Sequence, residues 1–297
     1  MKVSVIVPNF NHSKFLNQRI ESILNQTYQD FEIILLDDCS TDDSVEILKK
    51  FVNNCKVQFL FCNSKNSGSP FGLWKKGFDL ARGDLIWIAE SDDWCEIDFL
   101  DSLIPFFSDS SVSLAYSNSD YFDEPSQQFK PITWLKSFEN FLWDRDFVYS
   151  GMDLLKEYGV YKCLILNVSC AIFRKSSLKN MEFPFKFRFS GDWYFWNQLF
   201  LTGNIGFNSR ILNHVRIHQG SATHFLESNE FKKLLENTFV VKSSFLLIDK
   251  PFIYSNNLNW LVILWKKYIY KHPFVGVYFF IRSTSFQFLF SFLFKKN

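Results

Sequence analysis

Hydrophobic runs alternate with amphipathic segments over most of the chain. Mainly apolar runs of five or six residues, bounded by polar loops, predict buried strands at residues 3–7, 31–36, 57–61, 85–89 and 112–116. Between the first two runs, apolar residues recur at helical spacing, at Leu16, Ile20 and Ile23. Regular alternation of strands and helices predicts an α/β fold of Rossmann-like type, with a mostly parallel central sheet and flanking helices.

The later pattern is less regular. Residues 164–173 and 205–215 predict further strands, and a helix begins near Trp193. Between them, residues 117–150 show little periodicity and predict a long irregular region on the ligand side. The first strand-to-helix loop lacks the glycines of a dinucleotide-binding fingerprint, which disfavours a Rossmann oxidoreductase.

Three acids follow the strand predicted at 85–89. They are Glu90, Asp92 and Asp93, at the strand end where open α/β sheets hold ligands. Clustered carboxylates repel one another, and a divalent cation with oxygen ligands commonly relieves that repulsion. Alternatively, Asp92 or Asp93 caps a following helix. The pattern by itself leaves both interpretations open.

Two later positions are also candidates for chemistry. Asp192 stands at the start of the helix that contains Trp193, where a helix cap is the ordinary interpretation. An unperturbed carboxyl group there titrates near pH 4 and is ionised at neutral pH. Arg216 and His218 follow a strand, either as structural residues or facing the acidic cluster and its ligand.

The amino-acid composition bears on which partners the protein binds and in which compartment it is found. The chain has 32 basic and 31 acidic residues and a net charge of +1, so no nucleic-acid partner is expected. Six scattered cysteines show neither metal-ligand nor disulfide-framework spacing, which favours reduced thiols and a cytoplasmic protein. The first predicted strand starts at residue 3, which argues against a signal peptide.

The C-terminal segment differs from the rest. No acidic residue follows Asp249, whereas seven basic residues do, and residues 258–270 and 274–294 are strongly apolar and aromatic. Arg282 would lie near the middle of the second run, so we expect these residues to lie at the membrane interface rather than to span it. A basic, aromatic segment suits the anionic inner face of a cell membrane. The alternative is that these helices pack on the core.

Four segments occur together in a characteristic order. They read VSVIVPNFN at 3–11, DFEIILLDDCSTD at 30–42, ESDD at 90–93 and SGDW at 190–193, and RIH follows at 216–218. Jointly they resemble the family 2 glycosyltransferases of GT-A fold. The resemblance covers residues 1–224, and it implies a GT-A domain there followed by a helical extension at 225–297.

The resemblance also implies a site. Asp192 corresponds to the catalytic base, and Asp92, Glu90 and His218 to the holders of a divalent metal, Mg²⁺ or Mn²⁺. The implied nucleotide-sugar-binding residues are Pro8, Phe10, Asp37, Asp38, Asn66, Gly68, Asp93 and Arg216. Two positions depart from the family pattern: Glu90 replaces the first Asp of the metal motif, and Trp74 stands where an arginine is frequent.

The expected function follows from that resemblance. It is metal-dependent, inverting transfer of a sugar from a nucleotide-diphosphate sugar, with UDP-sugars favoured, to a glycan or lipid-linked hydroxyl in cell-surface polysaccharide or lipopolysaccharide synthesis. One alternative is a catalytically inactive nucleotide-sugar-binding protein, which the departures at Glu90 and Trp74 keep open. Another is a nucleotidyltransferase, which the first loop does not support because it lacks a glycine-rich basic motif.

Overall fold

The computed structural model describes residues 1–133, 142–219, 230–250 and 256–284. The strands are β1 (Val3–Asn9), β2 (Phe31–Asp37), β3 (Val57–Cys62), β4 (Leu85–Ile88), β5 (Trp94–Cys95), β6 (Val112–Asp123), β7 (Gln128–Pro131), β8 (Phe147–Ser150), β9 (Ala171–Arg174) and β10 (Asn204–Ile217). The helices are α1 (Ser13–Leu24), α2 (Ser44–Phe51), α3 (Pro70–Leu80), α4 (Phe99–Leu103), α5 (Gly151–Leu154), α6 (Gly191–Leu199), α7 (Glu230–Leu247), α8 (Asn259–Lys271) and α9 (Pro273–Ser283).

The strands form one mixed sheet in the order β3-β2-β1-β4-β9-β6-β10-β5. The first four strands are parallel, as the alternating pattern predicts. Beyond them β9 is antiparallel to both neighbours, while β6 and β10 run parallel to each other. The parallel half therefore carries the loops that follow β1, β2 and β4 to a single edge of the sheet.

Two predictions of secondary structure were wrong in extent. Residues 117–150 are not one irregular region, because β6 continues to Asp123, pairs with β7, and β8 joins β10. The polar residues there mask strand periodicity, since this end of β6 is only partly buried. The strand predicted at 164–173 shrinks to β9, because Asn167 caps a 3₁₀ turn through its side chain.

The sheet has a hydrophobic core on each face. Alternate residues of β1 point to opposite faces, so Val5 belongs to the core beneath α1 and α4, and Ile6 to the core beneath α3 and α6. Both side chains are fully buried. Burial of each such side chain is worth about 1.5–3 kcal/mol, which fixes the strand register and the loops at its end.

The C-terminal helices share the second of these cores. Val240 of α7, Trp265 of α8 and Phe280 of α9 are buried in the same cluster as Trp196 of α6. The Trp265 indole also donates a hydrogen bond to Thr238 Oγ1 over 2.9 Å. The expected boundary between 224 and 225 lies outside the described residues, as do residues 285–294 of the expected membrane segment.

Among the residues that the structure describes, every helix is too short or too polar to cross a membrane.

Candidate active site

A cavity of about 980 Å³ opens at the edge of the sheet where β1, β2 and β4 end. Most of the predicted site residues line it: Pro8, Phe10, Asp38, Asn66, Gly68, Glu90, Asp92 and His218. The lining does not include the other four, which are Asp37, Asp93, Asp192 and Arg216. The structure thus brings together residues that are up to 210 positions apart in sequence, from Pro8 to His218.

Asp37 holds two loops together. Its carboxylate accepts hydrogen bonds from Asn9 Nδ2 over 2.7 Å and from the backbone and hydroxyl of Ser40 over 2.8 and 2.6 Å. Asn11, with φ of +57°, then donates its backbone N–H to Ser40 Oγ. Asp37 therefore shapes the loop that carries Phe10 and does not itself face the cavity.

Asp38 faces the cavity and is held by the loop after β3. Its carboxylate accepts bonds from Asn63 Nδ2 at 2.6 Å and from the Ser67 hydroxyl at 2.8 Å. Asn66 bonds the Asp38 carbonyl and accepts from the N–H of Gly68, whose φ of +74° favours glycine. The predicted residues Asp38, Asn66 and Gly68 thus form one hydrogen-bonded wall.

Two histidines flank Asp92 at the floor of the cavity. His218 Nε2 lies 3.1 Å from Asp92 Oδ2, and His12 Nδ1 lies 3.9 Å from Asp92 Oδ1. One ligand atom of each of the three residues lies within 4.8 Å of the others. Although burial opposes it, the charges of His12 and His218 hold the pKa of Asp92 below its usual value. This group of His12, Asp92 and His218 is called the His–Asp–His cluster below.

Glu90 faces a different partner. Its Oε1 accepts a hydrogen bond from the indole Nε1 of Trp74 over 3.3 Å. Burial, together with the neighbouring Asp92 and Asp93 charges, raises the pKa of Glu90 to about 8. Glu90 is not a member of the His–Asp–His cluster, in which His12 stands with Asp92 and His218.

Asp93 and Arg216 make hydrogen bonds that support the loop after β4, which contains Asp92. Asp93 accepts bonds from Ser169 Oγ over 2.7 Å, from Asn167 Nδ2 over 2.9 Å, and from the backbone N–H of Arg216 over 3.2 Å. The Arg216 guanidinium donates to the Asp92 carbonyl over 2.8 Å and pairs with Glu124. These contacts position Asp92, and neither Asp93 nor Arg216 is among the residues that line the cavity.

Asp192 begins α6 in a tightly packed corner. Gly191 precedes it because a Cβ there would lie 2.3 Å from the Phe71 ring. Burial raises the pKa of Asp192 to about 6, while the nearby Lys233 charge lowers it and the Glu236 charge raises it. This pKa lies above the value near 4 of an ordinary aspartate, because desolvation disfavours the ionised form.

Glu236 of α7 supports the loop that ends at Asp192. This buried carboxylate accepts the backbone N–H groups of Arg188, Phe189 and Ser190, at 3.0, 2.8 and 3.1 Å. The next residue, Asn237, accepts the Ser190 hydroxyl at 2.6 Å. A helix of the expected C-terminal extension thus fixes the backbone on which the candidate base stands.

Sequence reasoning missed three residues that the structure brings to the site. His12 stands in the loop after β1, where a lone histidine has no distinguishing spacing. Arg188 lines the cavity with an exposed guanidinium, and Glu236 lies 44 residues beyond the base it supports. Of the three, Arg188 alone lies close in sequence to a predicted site residue, since it precedes the SGDW segment by two positions and Asp192 by four.

Comparison with known proteins identifies related sequences. The profile of Glycosyl transferase family 2 matches residues 4–181. An uncharacterized glycosyltransferase of Haemophilus influenzae is 30% identical over 183 residues, covering 62% of this chain and 69% of the relative. The Escherichia coli protein UDP-Glc:alpha-D-GlcNAc-diphosphoundecaprenol beta-1,3-glucosyltransferase WfaP is 29% identical over 247 residues, covering 81% and 86%.

Solved structures share the fold. The Staphylococcus aureus TarS fragment 1-349 in complex with UDP-GlcNAc matches with a TM-score of 0.66 at 21% identity, covering 83% of this chain and 67% of that one. Mannosyltransferase PcManGT from Pyrobaculum calidifontis, in complex with GDP-Man and Mn²⁺, matches with 0.58 at 12% identity, covering 88% and 68%. These likenesses confirm the expected α/β fold of GT-A type, with a helical C-terminal part.

Proposed function

Because the chain belongs to glycosyl transferase family 2, and is therefore a glycosyltransferase, we propose that it moves a sugar from a UDP-sugar to a hydroxyl of a lipid-linked or glycan acceptor. We place this reaction in cell-surface polysaccharide or lipopolysaccharide synthesis. Family membership leaves the nucleotidyltransferase alternative without support. The alternative is a catalytically inactive protein that binds a nucleotide sugar, and measurements of binding and turnover distinguish the two.

One observation carries the proposal. Asp38, which the family resemblance assigns to the base, and Asp92, which it assigns to the metal, line the same cavity. Phe10 offers an aromatic face 41% exposed at that cavity, and Arg188 offers a cation. A volume of about 980 Å³ lies within the usual range for small-molecule and cofactor sites.

The His–Asp–His cluster fits a divalent metal. It combines a carboxylate with two imidazole rings, and its ligand atoms already lie within 4.8 Å of one another. Nitrogen ligands favour Mn²⁺ over the harder Mg²⁺, which prefers oxygen. When bound, such an ion neutralises negative charge that develops on a diphosphate leaving group. His12, Asp92 and His218 would hold it, while Arg216 fixes the Asp92 backbone.

Asp192 is proposed as the base for an inverting reaction. Its carboxylate takes the proton of the acceptor hydroxyl as that oxygen attacks the anomeric carbon, and the bond to the diphosphate breaks with release of UDP. A single displacement of this kind inverts the anomeric configuration. With a pKa of about 6, the Asp192 carboxylate is mainly ionised at neutral pH and is a stronger base than an exposed aspartate.

The test combines binding and turnover. Thermal unfolding is followed with UDP, GDP, CDP and ADP, each with Mn²⁺, because a ligand that binds only the folded state raises the midpoint. We expect UDP to give the largest shift in the wild type and an equal shift in Asp192→Asn. Transfer and donor hydrolysis in that variant should fall by 10²-fold or more, as removal of a general base does.

Two results would overturn parts of this proposal. Unchanged turnover in Asp192→Asn would remove the base assignment, and no shift with any nucleotide would remove the nucleotide-sugar site. Binding of UDP without turnover by the wild type, tested with several UDP-sugars and lipid-linked acceptors, would support the inactive binding protein. Glu21→Gln, an exposed acid on α1, serves as the control substitution.

We propose that the chain consists of a glycosyltransferase domain, residues 1–224, and a C-terminal extension, residues 225–297. We further propose that residues 258–294 attach the protein peripherally to the inner face of the cell membrane. Large apolar side chains on α8 and α9 support this, because Tyr270 and Phe274 are each 91% exposed. The basic residues of the segment suit anionic lipid.

Flotation of the full chain with anionic liposomes tests the attachment. Truncation is a poor test because Trp265 and Phe280 belong to the core. We therefore compare the wild type with a Tyr270→Ser, Phe274→Ser double variant, whose side chains are exposed and dispensable for packing. The double variant should float at least fivefold less, and equal flotation of the two proteins would overturn the membrane proposal.

A further inference from the structure

A second, smaller cavity lies between α7 and α8. Its volume is about 240 Å³. It is lined by Glu230, Lys233, Leu234, Asn237, Leu264, Lys267, Tyr268 and Lys271. The lining thus combines three ammonium groups and one carboxylate with apolar side chains, a composition unlike that of the larger cavity.

The single carboxylate does not neutralise the lysines. Glu230 lies 3.9 Å from Lys267 Nζ, and both groups are more than half exposed, so this pair contributes little. Lys233 is only partly exposed, and burial lowers its pKa. A site that places Lys233, Lys267 and Lys271 around one cavity favours a multiply charged anion.

The small cavity adjoins the candidate base. Asn237 lines it and accepts the hydroxyl of Ser190, two residues before Asp192. Lys233 lies one helical turn before Asn237, close enough for its charge to lower the pKa of Asp192. An anion bound at Lys233 would therefore lie beside the point where the acceptor hydroxyl must be deprotonated.

Part of the cavity lining is apolar. Leu234, Leu264 and Tyr268 line the cavity, and Leu264 is 40% exposed. On α8, Leu264, Tyr268 and Lys271 recur at helical spacing, so the apolar residues and the cation share one face. A ligand that fits this face carries negative charge at one end and a hydrocarbon chain at the other.

Resting on the glycosyltransferase function proposed above, we propose that the α7–α8 cavity binds the diphosphate of a lipid diphosphate-linked acceptor. Lys233, Lys267 and Lys271 bind the diphosphate oxygens, and the apolar face beginning at Leu264 contacts the lipid chain. The first sugar, attached to that diphosphate, then extends from Lys233 toward Asp192. The C-terminal helices thereby select the acceptor as well as support the catalytic loop.

Binding of farnesyl diphosphate to the full chain tests this site. The titration is made below the micelle concentration of the probe, with saturating UDP and Mn²⁺ to occupy the larger cavity. Wild type is compared with a Lys233→Met, Lys271→Met double variant and with Lys232→Met, which changes an exposed α7 lysine outside the cavity lining. Farnesol and inorganic pyrophosphate separate the contributions of the diphosphate and the chain.

We expect the dissociation constant of farnesyl diphosphate to rise at least tenfold in the double variant and less than twofold in Lys232→Met. Lys233→Arg with Lys271→Arg should restore binding, because charge and not side-chain length is required. Farnesol and pyrophosphate should each bind the wild type at least tenfold more weakly than farnesyl diphosphate.

Equal binding by the wild type and the double variant would overturn the proposal, and so would pyrophosphate binding as tightly as farnesyl diphosphate. If the double variant shows no cooperative thermal unfolding, the proposal is tested instead by the Lys233→Arg, Lys271→Arg variant and by the binding of farnesol and pyrophosphate to the wild type. UDP binding is measured in parallel. Its absence would overturn the proposed donor site, whereas the lysine dependence of farnesyl diphosphate binding would still decide the α7–α8 site.

Discussion

The indole Nε1 of Trp74 donates a hydrogen bond to Oε1 of Glu90 over 3.3 Å, so the two departures from the family pattern contact each other. A tryptophan offers one N–H donor without charge, where an arginine would offer a cation. The longer side chain of glutamate, relative to aspartate, lets the carboxyl reach that donor. The two replacements are thus physically linked rather than independent losses of function.

A double-mutant cycle should detect this link. Trp74→Phe removes the donor and Glu90→Ala removes the acceptor of the same hydrogen bond, so their effects on the free energy of unfolding should not add. We expect an interaction energy of about 0.5–3 kcal/mol from urea denaturation of the wild type, both single variants and the double variant. Strict additivity would mean that the two side chains do not interact in solution.

The pH dependence of transfer should report Asp192. The active form of a general base is ionised, so kcat/KM should rise with pH through about 6 and level off above it. An exposed aspartate would place that rise near pH 4. Initial rates at subsaturating acceptor between pH 4.5 and 8 measure the midpoint, and a midpoint near 4 would contradict the burial of this carboxyl group.

Removing the charge of Lys233 and removing that of Glu236 should shift the pKa of Asp192 in opposite directions. Lys233 lowers the pKa of Asp192, and Glu236 raises it. The acidic midpoint of the rate profile should therefore move to higher pH in Lys233→Met and to lower pH in Glu236→Gln. The reference is Lys232→Met, which changes an exposed lysine of the same helix. An unchanged midpoint in both variants would show that neither charge acts on the base.

Glu236→Gln should also impair positioning. Its carboxylate accepts three backbone N–H groups of residues 188–190, and an amide supplies only one accepting oxygen. We expect a loss of about 1–3 kcal/mol in unfolding free energy. In kinetics, kcat should fall at least tenfold while KM for the donor changes less than threefold. Partial recovery of kcat in Glu236→Asp would support positioning, and an unchanged kcat in Glu236→Gln would refute it.

Removal of His12 should weaken metal dependence. In the His–Asp–His cluster His12 supplies one of the candidate ligands, so His12→Gln should raise the Mn²⁺ concentration for half-maximal activity by about 10–100-fold. His272→Gln, which changes an exposed histidine outside the cluster, should leave it unchanged. Full activity of the wild type in excess EDTA would remove the metal role altogether.

The strand-and-helix alternation predicted the parallel half of the sheet because β1, β2 and β4 are mainly apolar and buried on both faces, and because β3, at the edge, is still mainly apolar. It failed for β7, whose residues are exposed, and for β8, which is only partly buried, and it overextended β9, where Asn167 turns the chain before the strand. Periodicity reports burial, and it is therefore least informative at half-exposed edges of a sheet.

The sequence by itself determined which local segments carry chemistry. Apolar strands ending in Asp38 and Asp92, and a helix beginning at Asp192, are properties of adjacent residues, so the motifs and their order are readable directly. Only the tertiary structure decided that His12 joins Asp92 and His218, and that Glu236 supports the loop before Asp192. Those contacts join residues between 46 and 206 positions apart. Their formation depends on which sheet edge and helix face the packed core brings together, and no local pattern specifies that.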